Sequence, residues 1–183
     1  DKALKYHHKS LQIQKEFGSK LGMGNSYNNL GNIYQMQKDY AKAQEKYWKS
    51  LQLFQELSKE SGTTTYNIGE AISYNNLGET YYYQGNYDKA EEHYWKSLEL
   101  SEEIDFKRGL AATYINLSKL SSDQGNFTLA RTYGNKGLDL AQEVGMVNEI
   151  KQISELLYTE YKKTGQTVKA LEMYELYIEM RDS

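Results

Sequence analysis

The 183-residue chain is 39% hydrophobic and 26% charged, with a formal net charge of −3, no cysteine and no proline. Near-balanced charge gives no basic footprint for nucleic acid. No run approaches the roughly 18 apolar residues of a membrane span, and the missing cysteine excludes disulfides and thiolate metal sites.

The opening stretch, DKALKYHHKSL, matches the later part of a unit seen again downstream, with Ala3 standing 40 residues before Ala43. It is read as a second helix over 1–17, so the native N terminus is expected to lie upstream. His7 and His8 are adjacent and point about 100° apart on a helix, which prevents a shared metal. His7 holds the slot of Tyr47 and Tyr94 and is read as a packing residue. Helices are then expected over 20–36 and 40–59. Tyr27, Leu30 and Tyr34 share one face of the first, and Ala43, Tyr47, Leu51 and Phe54 share one face of the second. Asp39 suits the N-cap between them.

Ala43 precedes Ala90 by 47 residues, whereas Ala90, Ala130 and Ala170 are 40 apart. The extra residues lie within SKESGTTTYNIGE (58–70). Seven residues make about two helical turns, and Ser61-Gly62-Thr63 predicts a short break with longer helices on either side. Further pairs follow at 67–83/87–104, 107–123/127–144 and 147–163/167–181. Gly85, Gly125 and Gly165 suit a left-handed C′ position between the members of each pair, where the first full unit carries Lys38. Asn86 and Asn126 suit the following N-caps, and Gln166 is a poorer one. YNNLG occurs at 27–31 and 74–78, and YWKSL at 47–51 and 94–98. A fixed period of this size signals a repeat array. The 18 tyrosines, against 4 phenylalanines, fit such thin layers, where a ring packs while its hydroxyl meets water or a partner.

These units resemble the tetratricopeptide repeat family. The first match runs Tyr27, Leu30-Gly31, Tyr34, Ala43, Tyr47, Ser50, and the second Tyr74, Leu77-Gly78, Tyr81, Ala90, Tyr94, Ser97. The third is looser, with Tyr114, Leu117-Ser118, Ser121, Ala130 and Gly134. In the fourth, Tyr158 and Tyr177 replace small residues, and the family's closing proline is absent throughout. The resemblance implies an all-α fold, an alpha-alpha superhelix of antiparallel helix pairs, with 1–183 a single array. Its units would be 20–59, 67–104, 107–144 and 147–181 behind the truncated 1–17, and the first helix of each pair would line a concave surface.

That surface is where a partner is expected. Counting from Leu30, the groove slots hold Asn28, Asn29, Asn32 and Gln35 in the first full unit. Asn75, Asn76, Glu79 and Tyr82 follow in the second, Ile115, Asn116, Lys119 and Ser122 in the third, and Glu155, Leu156, Thr159 and Lys162 in the fourth. Asn29, Asn76 and Asn116 each directly precede the leucine. An asparagine amide donates and accepts at once, so it can bond both groups of an extended peptide backbone, and kinesin-light-chain-type relatives imply that use. The other reading gives these amides to neighbouring helices as support. The peptide-contact set is therefore Asn28, Asn29, Asn32, Asn75, Asn76, Glu79, Tyr82, Asn116 and Lys119. Chaperone-binding relatives place cations where Asn28, Ala112 and Asn116 stand here, so capture of a C-terminal carboxylate lacks its charge-assisted bonds.

No nucleophile–base pair, phosphate loop or paired acid motif is recognisable, so neither catalysis nor a cofactor is expected. Trp48 and Trp95 sit roughly 125° from the packing stripe at about 100° per residue. They are read as wedges against the next pair, with self-association or partner docking as the alternative. The closing KALEMYELYIEMRDS stays apolar at helical spacing, so the native chain is expected to continue. It resembles the end of tetratricopeptide sensor regions in bacterial signalling proteins, which implies an input segment of a larger regulator as the second functional reading.

Overall fold

The computed structural model describes residues 2–182; Asp1 and Ser183, and the side chain of Ala3, lie outside the described set. The described residues form helices α1 (Lys2–Glu16), α2 (Lys20–Met36), α3 (Tyr40–Ser61), α4 (Asn67–Tyr83), α5 (Tyr87–Glu103), α6 (Lys107–Asp123), α7 (Phe127–Glu143), α8 (Val147–Lys163) and α9 (Thr167–Asp182). A short 3-10 turn, Thr64–Tyr66, stands before α4. The fold is all-α, and the chain divides into two compact units, Asp1–Asp105 and Phe106–Ser183.

The turns follow from local chemistry. Gly85, Gly125 and Gly165 take left-handed backbone with φ of 75°, 76° and 71°. The next residue then caps the second helix: Asn86 Oδ1 accepts from the Lys89 amide at 3.3 Å and Asn126 Oδ1 from the Leu129 amide at 3.2 Å. Asp39 does the same for α3, accepting from the Lys42 amide at 3.2 Å.

The extra residues after position 58 lengthen only one helix, not both as expected. α3 runs for 22 residues while α4 keeps 17. Gly62, at φ 64°, ends α3 by sending its amide to the Ser58 carbonyl oxygen. Thr63 is extended, and its side chain accepts from the Thr65 amide. That hydroxyl bond favours a 3-10 turn over one more α-turn at the start of α4.

In the first unit α1 packs on α2, α2 on α3, α3 on α4 and α4 on α5, and α2 also touches α4. Its core includes Ala43, Tyr47, Leu51 and Leu77, with Tyr34 and Tyr74 against them. The close approach inside each pair needs glycine, because side chains of the second helix fill the space above it. A Cβ at Gly78 would come within 2.6 Å of the Tyr94 ring, and one at Gly31 would overlap the Tyr47 ring. Burial pushes the hydroxyls of Tyr47 and Tyr94 well above their ordinary titration range.

In the second unit α6 pairs with α7, α7 with α8 and α8 with α9, and α6 also touches α8. Ile115, Leu138, Ile150, Ile153 and Leu157 lie in one apolar cluster. Ile115 was expected to face the groove but is buried instead. Gly137 leaves a recess on the facing helix, where an added Cβ would sit 2.9 Å from Ile115 Cγ1. A β-branched apolar side chain fills that recess with a net gain of buried area.

Candidate functional site

Within the first unit, the polar residues of α2 and α4 meet along a shared seam. Asn28, 7% exposed, donates from Nδ2 to Ser73 Oγ at 3.2 Å. One turn on, Asn32 Oδ1 accepts from the Tyr47 hydroxyl at 2.7 Å, and Asn76 Nδ2 lies 3.5 Å away. Another turn on, Gln35 Nε2 donates to Glu79 Oε2 at 2.8 Å, while the Thr80 hydroxyl lies 2.7 Å from Gln35 Oε1. The spacing 28, 32, 35 on α2 against 73, 76, 79 and 80 on α4 is one helix face meeting another.

The seam divides the expected contact residues. Asn28 is buried and its amide serves the α2–α4 packing. Asn29, one residue along and about 100° round the helix, is exposed. Asn32 is exposed at the rim, and Asn75, Asn76, Glu79 and Tyr82 are half-buried. Tyr82 stacks on Tyr87, with ring centroids 5.9 Å apart. Among the described residues, no three His, Cys, Asp or Glu side chains converge as metal ligands, and no helix is long and apolar enough to cross a membrane.

Within the second unit, α6 and α8 border a cleft of about 400 Å³. Lys119 lines it, with Nζ donating to Gln152 Oε1 at 3.2 Å. Asn116, from the expected set, is 8% exposed. At the floor lies Glu160, which is fully buried. Its Oε1 accepts from the Ser122 hydroxyl at 2.8 Å and from Lys163 Nζ at 3.2 Å. Its Oε2 has no hydrogen-bond partner among the described residues. Glu160 and Gln152 were absent from the expected set. The signal for Glu160 was nevertheless present: three residues past the landmark leucine, the other units carry Ile33, Thr80 and Leu120. A carboxylate in that inward column is the exception.

Of the two tryptophans, Trp48 of α3 meets the His93 ring of α5 edge-on, with centroids 5.7 Å apart, and keeps 39% of its surface exposed. It is a partial wedge between successive pairs of the first unit.

A family model described as tetratricopeptide repeat matches residues 1–56 and 69–143. Among curated proteins no sequence match is found. Solved structures resemble the chain over nearly its whole length. BtubC (BKLC) from P. vanneervenii is 20% identical with a TM-score of 0.80, over 99% of this chain and 73% of that one. Aspartyl phosphate phosphatase F from Bacillus subtilis is 15% identical with a TM-score of 0.83, over 97% of this chain and 45% of that one. The Rap conjugation gene regulator of the plasmid pLS20, solved in complex with a Phr peptide, is 19% identical with a TM-score of 0.79. The chain spans 47% of that regulator, so it covers about half the length of the last two. At these identities the likeness is one of fold. With the α2/α3 and α4/α5 pairs closed by glycine-to-tyrosine contacts and a family model matching most of its length, the chain belongs to the tetratricopeptide repeat family.

Proposed function

We propose that the chain is a non-catalytic protein-interaction module that takes an extended peptide segment along the exposed faces of its first helices, with residues 1–183 acting as one repeat array. The observation that carries this reading is the row of amides on α2 and α4. Asn29 is exposed beside the Asn32–Asn76 pair, where donors and acceptors stand at helical spacing. Asn28 supports the row from beneath. Asn29, Asn32, Asn75, Asn76, Glu79 and Tyr82 are the contacts in the first unit and Lys119 the one in the second, where Asn116 is buried like Asn28 and supports from beneath. The pLS20 regulator, similar in fold, was solved with a peptide bound, which supports a peptide partner here. The phosphatase activity in the name of another similar structure is not carried over, because 15% identity extends only to the fold.

The test is an array of acetylated, amidated peptides probed with wild type and with the Asn29→Ala/Asn76→Ala double variant. Each amide contact to a main chain contributes about 1 kcal/mol, so loss of two weakens binding by roughly thirtyfold. The melting curve stays where it was, since neither side chain is in the apolar core. Undiminished peptide binding by a folded double variant overturns the reading.

A second reading, a structural or self-associating segment of a longer regulator, is favoured by the apolar side chains that α9 leaves exposed, among them Val168, Leu171 and Tyr174. Its readout is self-association.

A further inference from the structure

We infer that the α6/α8 cleft is a subsite for a positively charged nitrogen, the ammonium of a lysine or the guanidinium of an arginine carried by a bound peptide. The inference rests on the peptide-binding reading and adds a side-chain preference to it.

The starting point is the unmatched oxygen of Glu160. A carboxylate has about four acceptor positions on its two oxygens. Here Oε1 takes the Ser122 hydroxyl and Lys163, and Oε2 takes nothing among the described residues. Leaving a buried charged acceptor unmatched costs the desolvation of that group. A protein built only for packing would place an apolar or hydroxyl side chain there, as at Ile33, Thr80 and Leu120.

Lys119 and Lys163 line the cleft with Glu155 and Glu160, so the charges balance and any preference is set by how each is engaged. Lys119 is engaged by the neutral Gln152 amide and does nothing for Glu160. Lys163 pairs with Oε1 at 3.2 Å from a side chain that is 49% exposed, so water screens that pair, and Oε2 is left without a donor among the described residues. The exposed Glu155 carboxylate stands at the rim. The acceptor left open at the floor is therefore the second oxygen of the Glu160 carboxylate. An ionised donor makes a shorter and stronger bond to it than a neutral amide or hydroxyl does. Leu156 lines the same cleft. It supplies apolar surface for the alkyl stem that lysine and arginine bury while their charged heads find a partner.

The test is an NMR titration of the nitrogen-15-labelled chain with N-acetyl-arginine methylamide and N-acetyl-lysine methylamide. Citrulline and norleucine analogues serve as neutral counterparts. The cationic probes are expected to give saturable shifts at Lys119, Ser122 and Gln152, with the neutral analogues roughly tenfold weaker. Glu160→Gln loses the cationic preference yet melts no lower than wild type, because it removes a buried charge that has only one half-exposed ion-pair partner and one unmatched oxygen. Equal binding of charged and neutral probes to wild type, or no binding of any probe, overturns the inference, and neither comparison needs a variant. The peptide array separates this result from the broader reading. Peptides bound without a basic preference leave the amide row standing and remove the subsite. A blank array beside a saturable arginine titration does the reverse.

Discussion

His93 shows how a single residue's role is set by neighbours distant in the chain. On α5 its Nδ1 lies 2.8 Å from the Lys89 carbonyl oxygen, so Nδ1 carries the proton and Nε2 faces the interior as a bare acceptor. Nε2 has no partner among the described residues, and the ring sits among Trp48, Tyr74 and Tyr81. Burial pushes the imidazole below its ordinary value of 6.5; the ammonium of Lys96 pushes the same way, while the Lys89 carbonyl bond and Glu92 oppose. The unfolded chain therefore takes up this proton at a higher pH than the folded one. The stability from neutral His93 is fully present above pH 6.5 and is lost as pH falls through the lower folded value. Denaturant melts between pH 7.5 and 5 are expected to show stability falling with acidification, and His93→Gln to flatten that slope. An unchanged slope in the variant removes His93 from the account. Nothing adjacent in the sequence marks this site, since its aromatic neighbours come from α3 and α4.

At the scale of helices and turns, most of the structure was legible. Glycine followed by asparagine is a local instruction, and the chain obeys it after α4 and α6. The exception is informative. Lys38 stands in the glycine slot and takes φ 60° all the same, because the helices it joins dictate the turn. A left-handed conformation costs a side-chain-bearing residue roughly 1–2 kcal/mol, part of which glycine returns through its freer unfolded chain. Lys38→Gly is thus expected to stabilise the protein by about 0.5–1 kcal/mol in urea titration, and a destabilised variant would mean that the lysine side chain contributes elsewhere. The α3–α4 junction was less legible. The spacing of 47 announced extra residues, but the competition between a longer α4 and a 3-10 turn was decided by the Thr63 hydroxyl.

At the scale of the whole molecule, α9 presents exposed apolar side chains. Leu171 is 56% exposed and Val168 72%, and Leu171 lines a cavity of about 280 Å³ together with Tyr158 and Tyr174. Under the second functional reading this face meets another copy of the chain. Sedimentation should then show a dimer in wild type that Leu171→Glu dissociates, with a stability change within about 0.5 kcal/mol, as for other exposed positions. A monomer in both samples sets that reading aside.

The sequence by itself determined the helix pairs, their turns and the family, because all three are written in short-range spacing: 3.6-residue periodicity, a left-handed glycine and a capping side chain. It also marked the helices whose asparagines meet. Only the tertiary structure decided which asparagine is spent on packing, since Asn28 and Asn29 differ by one residue and about 100° of helix rotation. Tertiary packing likewise buried Ile115 over Gly137 and left one oxygen of Glu160 unmatched. A buried acceptor is defined by which groups fail to reach it, and no linear pattern records that.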